Sequence, residues 1–404
     1  MRRFFLIILI SVGCVSLSAQ DVAQWRGPNR DGIYNETGLL KKWPEAGPKL
    51  LWHFDELGEG YTSAAVNTQG VFITGMINGT GTVFALDPKG KMLWKKEYGP
   101  EWTDSHTGVR STPLLIKDKL YLLSSFGKLF CMNCSDGQIV WKTDLVQQYG
   151  AENIQWGITE NLLFDGNTVY CTAGGTGASL VALDINTGKE IWKSKTNGEK
   201  SAYCSPMMIN LQNRKIIVTI MQYSICGFDA TSGNQLWKSE FKMDPDVHPN
   251  TPVYINGYLY CGSGYGLGSV MLKLAGDGNS VSVVWKNQSC DPKMGGVVVL
   301  NGRIYGTGDK NRKLFCLDWK TGKELFSTKD LSPANIIADE GLLYVYSESG
   351  KVNLVEPQAD KFTIINSFSV PSGAGPHWAH LVINDKKLYV RHGNSLMVYD
   401  IAAR

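Results

Sequence analysis

The sequence predicts an all-β protein: an eight-bladed β-propeller with four-stranded blades, closed by the N-terminal strand completing the C-terminal blade. Three observations predict it. Large aromatic residues recur at Trp52, Trp94, Trp141, Trp192, Trp237, Trp285, Phe326 and Phe368, 41 to 51 residues apart. A period of roughly 40–50 residues marks a blade repeat. Most of these aromatics end the same phrase, complete in Ala182-Leu183-Asp184-Ile185-Asn186-Thr187-Gly188-Lys189-Glu190-Ile191-Trp192 and repeated around Asp87, Asn133, Asp229 and Asp318. It recurs in eroded form before Trp285 and Phe368. The third observation is a strand count. The last repeat reaches its third strand at Leu396 to Asp400, while Leu50-Leu51-Trp52 is a fourth strand with no repeat before it. Pairing the two closes the circle and leaves only short, protected edges.

Taken in order, the chain opens on a targeting segment. Arg2 and Arg3 precede the apolar run Phe4 to Val12, and small residues follow before Asp21, which is the pattern of an export signal. Leu17-Ser18-Ala19 suits cleavage after Ala19, making 1–19 a signal peptide. The alternative is a lipid anchor at Cys14, because Val12-Gly13-Cys14 resembles part of a lipobox. The apolar run is too short for a transmembrane segment, so the mature chain is expected in the periplasm or cell envelope. Residues 20–47 form an N-terminal extension, turn-rich through Gln24-Trp25-Arg26-Gly27-Pro28-Asn29-Arg30-Asp31-Gly32 and expected to cross the propeller face. The propeller itself is assigned to 48–404.

Each repeat opens with an apolar strand, a polar turn and a second strand, as in Leu114-Leu115-Ile116, Lys117-Asp118-Lys119 and Leu120-Tyr121-Leu122. Equivalent strands start near Ser63, Asn161, Ser205, Thr251, Gly296, Ala334 and Ala379. Asp165-Gly166, Asn256-Gly257 and Asn301-Gly302 are strong hairpin signals between them. The repeated phrase then supplies the third and fourth strands. Its Asp accepts from turn amides, its Gly takes positive φ, and its Trp packs on a neighbouring blade. These residues are structural, so Asp184 and Trp192 are not catalytic candidates.

A net charge of +3 with intermixed signs argues against a nucleic-acid partner. Nine cysteines in an exported chain suggest disulfides, yet Cys131, Cys226 and Cys316 stand where Ala85 and Ala182 stand in sister repeats. Cys171 and Cys261 likewise share one position. The repeat thus treats them as small buried residues, and the pairing of Cys204 and Cys290 stays open. Cys131 and Cys134 have a redox spacing without the βαβ context that such a pair needs.

The Ala-x-Asp-x-x-Thr-Gly-x-x-x-Trp phrase resembles the blade-docking motif of the quinoprotein (PQQ) dehydrogenases and their PQQ-like relatives, over about residues 48–400. Trp25 to Gly32 is similar to the start of secreted PQQ-like propellers, and the outer-membrane assembly lipoprotein BamB is another relative. The resemblance implies the fold. For the dehydrogenases it would also imply PQQ and calcium, held beside a disulfide of adjacent cysteines. This chain has no Cys-Cys pair, and the family's Asp base and calcium ligands find no matching positions. Shared fold does not transfer activity.

The loops leading into the innermost strands surround the mouth of a propeller channel, where ligands usually bind. They contain Tyr61, His106, Arg110, Gln155, Trp156 and Tyr203 from the first half of the chain, and His248, Asn250, Lys293, His377, Trp378 and His380 from the second. Met294 and Asn335 fall among them. Aromatic platforms with converging polar groups suggest a ligand pocket; the plainer reading is polar loops filling a hole. His377 and His380 with His106 or His248 could hold a metal from different blades. Asp104, Glu152 and Asp246 are near, but none is placed as a ligand, so no metal and no catalytic residue is assigned. The expected function is an exported binding or interaction scaffold without catalysis, monomeric, with a small-molecule, glycan or envelope-protein partner. The alternatives are a PQQ-dependent alcohol or sugar dehydrogenase and a polysaccharide-active enzyme using the histidines.

Overall fold

The computed structural model describes residues 21–403 apart from Gly295 and Ser332. The signal segment 1–19 and Cys14 lie outside the described residues. Eight antiparallel sheets follow one another along the chain. The first complete blade runs through Ala65–Asn67, Gly70–Ile77, Thr80–Leu86 and Met92–Pro100, and the others repeat that order. Closure is as the strand count requires. Lys49–Phe54 pairs with Ser395–Asp400, with Leu50 opposite Tyr399 and Trp52 opposite Val398, and completes the blade of Val382–Asn384 and Lys387–His392.

That pairing skips Leu51, and the skip is systematic. In seven blades the register between third and fourth strands shifts at the residue before the aromatic anchor, and in the blade ending at Phe362–Ser369 it shifts at Ile365, three residues before Phe368. A bulge adds one residue and increases the local twist. It turns the anchor inward and leaves Leu93 and Ile191 outside, 55% and 51% exposed.

The anchor then docks on the next blade. Trp141 lies over Gly188 so closely that a Cβ there would sit 2.6 Å from the ring, and its Nε1 donates to Ile185 O at 3.1 Å. Trp52 over Gly90, Trp94 over Gly137, Trp192 over Gly233 and Trp285 over Gly322 repeat the contact. The turn glycine is therefore required twice, for its φ of +69° at Gly188 and for the space the ring takes. Gly188→Ala is expected to cost about 2–4 kcal/mol, from left-handed strain plus overpacking, read as a lower urea midpoint at unchanged m.

Trp237 departs from the rule. The turn that should receive it, around Gly278, packs on Ile216 and Leu211 instead, and the ring folds back over Gly227 of its own blade. Its Nε1 has no partner. The position of Ala85 and Ala182 falls here to Gly227, which pairs with Trp237, and not to Cys226 as the repeat alignment suggests; a Cβ at 227 would lie 2.2 Å from the Trp237 ring.

A second circle of contacts joins the innermost strands. Ser63 N donates to Thr112 Oγ1, Thr112 N to Asn161 Oδ1, and Asn161 Nδ2 to Ser205 Oγ. Cys204 Sγ donates to Asn250 O, Asn250 Nδ2 to Pro292 O, and Thr307 Oγ1 to Ala334 O. Asn335 Nδ2 donates to Ala379 O, and Ser63 Oγ to His380 O closes the ring. Each blade is thus tied to its neighbours by a polar side chain, and most by a docked aromatic one as well. All eight cysteines among the described residues are free and buried, and burial pushes the Cys204 thiol up to about 12.

The N-terminal extension differs from expectation. Rather than only crossing a face, it enters the channel. Val22–Ala23 adds a fifth strand to the inner edge of the second blade, against Leu115–Ile116. Arg26 donates to Val297 O at 2.7 Å, Ile336 O at 3.3 Å and Asp31 O at 3.2 Å. Arg30 donates to Asn161 O and Leu162 O, both at 2.7 Å. These carbonyls belong to blades far apart around the ring, so the segment spans the axis. It separates two cavities: Trp25 lines one, while Gln24 and residues 28–31 line the other, of about 590 Å³. Beyond it Trp43 is buried against Tyr344 and Phe368, and Gly47 sits under the Phe368 ring in the role that the turn glycines play elsewhere.

Candidate functional site

The cavity on the Trp25 side has a volume of about 340 Å³. Two aromatic groups face it. Trp378 stands edge-on to His106, with ring centroids 4.9 Å apart, and leans on Tyr61 at 5.1 Å. Trp156 meets Tyr203 edge-on and lies nearly parallel to Tyr265, both at 6.4 Å. Tyr203 fastens the second group by donating its hydroxyl to Trp156 O. Trp25 closes the inner end, edge-on to His380 at 5.0 Å.

The loops that carry these rings are held by backbone contacts. Arg110 folds onto its own loop, donating to Gly108 O at 2.6 Å, Ser105 O at 3.0 Å and His106 O at 2.8 Å. This turn presents His106 with φ at +49°. Lys293 lies 5.1 Å over the Tyr265 ring, and Asp309 approaches it at 3.6 Å. Arg26 donates to His380 Nδ1 at 3.3 Å, so that nitrogen accepts and the ring is neutral.

The positive field has titration consequences. His106 is lowered by burial and then by Arg110 and Lys293. His380 is pushed well below the usual imidazole range by burial and then by Arg26. Burial raises the Tyr203 hydroxyl to about 12, and it raises Tyr61 and Tyr265 as well. No aspartate or glutamate lies on the wall among the described residues. At neutral pH the wall's charge is carried by Arg110 and Lys293.

Eight of the residues expected from the mouth loops meet here: Tyr61, His106, Arg110, Trp156, Tyr203, Lys293, Trp378 and His380, with Met294 beside them. The others do not line this cavity. His248 is fully buried between Ser263 Oγ at 3.0 Å and Gln222 O at 3.3 Å, and burial lowers it to about 4. His377 stacks on His392 at 3.7 Å and lies 2.6 Å from the Tyr346 hydroxyl; burial and the second imidazole lower it to about 4. Asn250 and Asn335 belong to the polar circle, and Gln155 points to solvent. The four loop histidines therefore do not converge. Among the described residues no group of three or more His, Cys, Asp or Glu is arranged to hold a metal ion.

Sequence reasoning missed Trp25 and Tyr265 on the wall. Tyr265 sits in the hairpin between Tyr258–Ser263 and Gly268–Leu274, which opens on the same face as the loops leading into the innermost strands. Gly264-Tyr265-Gly266 was its visible signal. Trp25 had none, since its depth depends on the arginine anchors beside it.

One of those anchors has a titrating neighbour. Glu160 is buried next to Arg30, accepts from Thr172 N at 2.9 Å, and is raised by burial to about 7. Its folded form holds a proton more tightly than the unfolded chain does. The stability this proton contributes is present below about pH 4.5 and lost as pH rises through about 7, about 3 kcal/mol in all. Glu160→Gln should flatten that slope in urea unfolding measured between pH 5 and 8.

Comparison with known proteins places this architecture. A family model described as outer membrane protein assembly factor BamB matches residues 79–328. The chain is similar to a BamB of Kangiella koreensis, 33% identical over 149 residues, covering 35% of each chain. It is also similar to the quinoprotein alcohol dehydrogenase PedH of Pseudomonas putida, 25% identical over 235 residues, covering 53% of this chain and 36% of that one. The matches thus span just over a third of these relatives' length. Among solved structures, BamB from Moraxella catarrhalis superposes with a TM-score of 0.62 at 15% identity, covering 87% of this chain and 99% of that one. With more than half its length matched by that family model, the chain belongs to the BamB-type family of PQQ-like propellers.

Proposed function

We propose that this protein is an exported, non-catalytic binding propeller of the cell envelope, and that the axial cavity is its ligand site. The observation that carries the reading is the wall itself: aromatic rings around two cationic side chains, without a carboxylate. Acid–base chemistry needs a proton acceptor positioned within hydrogen-bond reach of substrate. Here His380 is engaged by Arg26, and His106 lacks a carboxylate to orient it. The envelope placement draws on the export signal read in the sequence and on relatives named for outer-membrane assembly. No helix among the described residues is long and apolar enough to cross a membrane. Release after Ala19 and a lipid anchor at Cys14 differ in the mature N-terminus, which intact-mass measurement of the exported protein distinguishes.

The similarity to quinoprotein dehydrogenases makes PQQ with calcium the second reading, and the residues do not fit it. Calcium takes oxygen ligands, carboxylates foremost, and the wall offers none among the described residues. The cysteines among the described residues are single buried thiols rather than an adjacent pair. A ligand at about 100 times its dissociation constant stabilises a fold by roughly 2.7 kcal/mol. Thermal unfolding with PQQ and Ca²⁺ is expected to show no such gain.

The binding reading is tested by a ligand-detected NMR screen of small polar metabolites. Trp378→Ala should weaken any saturable binder at least tenfold while the urea midpoint moves little, because Trp378 is a loop residue facing the cavity. Binders indifferent to Trp378→Ala, or no binder at all, would overturn the reading.

A further inference from the structure

We infer that the axial cavity takes an acidic sugar, a pyranose ring carrying a carboxylate. This rests on the cavity being the ligand site, and it adds the ligand's chemical class.

The anionic part follows from charge. Arg110 and Lys293 reach the wall and no acidic side chain does among the described residues. The three bonds made by Arg110 all go to backbone carbonyls, which leave its charge unneutralised. Lys293 meets Asp309 only at 3.6 Å, with both side chains partly exposed, a weak pairing that a ligand carboxylate can displace or share. Behind the wall Arg26 is buried and bonded to carbonyls and His380 rather than to a carboxylate side chain. Asp31 acts on Arg26, and Glu348 accepts from Trp378 Nε1 at 3.3 Å, so the charge presented on the wall itself is the positive charge of Arg110 and Lys293.

The sugar part follows from ring geometry. A flat aromatic ligand wants two parallel faces with a gap of about 7 Å, two van der Waals layers. The parallel pair on the wall, Trp156 and Tyr265, has its centroids 6.4 Å apart, too close to admit a ring. The other wall rings meet at 43° to 85°, offering single faces and edges. A pyranose uses such surfaces, laying its C–H face on one ring while its hydroxyls reach polar groups at the rim. On the same wall Thr159 carries a buried hydroxyl without a partner, and Ser205 Oγ only accepts within the polar circle, which leaves its O–H to donate. The volume of about 340 Å³ lies at the small end of ligand pockets, about 300–1,000 Å³, which suits one or two sugar units.

The test is calorimetric titration of the mature protein with digalacturonate, its dimethyl ester and benzoate. Digalacturonate should bind at least tenfold more tightly than the ester, and added salt should erode the difference. Lys293→Met should weaken the acid several-fold and leave the ester unchanged. Equal binding of acid and ester would overturn the anionic assignment. Binding of benzoate without digalacturonate would overturn the sugar assignment while the cavity stood as a ligand site. If neither binds although the metabolite screen finds Trp378-dependent ligands, the class is wrong. If the screen is also blank, the ligand site itself falls.

Discussion

Replacing Arg26 by methionine is expected to lower the unfolding free energy by about 3–5 kcal/mol. The side chain is 2% exposed and satisfies the carbonyls of Val297, Ile336 and Asp31 as well as His380 Nδ1. A buried carbonyl stripped of its donor costs about 1–3 kcal/mol. An opposing effect is burial of the guanidinium, which lowers its pKa to about 10; methionine removes that cost. The carbonyls outnumber it, so the net change is a loss. The effect reaches the ligand site, because Arg26 lies 5.7 Å from the Trp25 ring and that ring closes the cavity. Urea unfolding measures the first consequence and digalacturonate titration the second. A stability loss under about 1 kcal/mol would mean that the segment does not hold the channel.

Trp43→Ala is the second large effect, expected at about 3–5 kcal/mol, the usual range for emptying a buried tryptophan site. The ring is 2% exposed and packs on Tyr344 and Phe368, with centroids at 6.0 and 5.3 Å. It clamps the extension to the last two blades next to Gly47, whose Cβ would lie 2.7 Å from Phe368. A cavity there loosens the strand that closes the circle, Lys49–Phe54, so the loss should appear as a lower urea midpoint. It should also appear as faster amide exchange on Ser395–Asp400, the strand paired with it. A wild-type midpoint would show that closure relies on the strand pairing alone.

Much of the architecture was legible because its causes are short-range and repeated. An Asp, a Gly and a Trp within eleven residues encode a turn, a bulge and an anchor, and the same local physics applies in each blade. Exceptions were legible only in part. The alignment gave the alanine position of that repeat to Cys226, yet Gly227 holds it, and the reason is the reversed Trp237 ring, which follows from the altered turn one blade later. Candidate site residues were found where the loop direction is dictated by the strand before it, as at Tyr61, Tyr203 and Trp378. They failed where a polar side chain had a structural partner nearby. Asn250 and Asn335 tie blades together. His248 is enclosed, and His377 is taken by His392.

By itself, then, the sequence determined the number of blades, their strand order, the closing strand and the residues that dock one blade on the next. Each of these depends on patterns a few residues long, repeated at a fixed period. Tertiary structure decided what fills the axis. Arg26 and His380 are 354 positions apart, and neither carries a local signal of the other. Only when eight wedge-like sheets close into a ring do their inner carbonyls converge, and converging unpaired carbonyls select the buried arginines that divide the channel. The cavity, its charge and its aromatic wall are consequences of that convergence, because a long-range meeting of loops is set by the geometry of the closed ring and not by any one of its repeats.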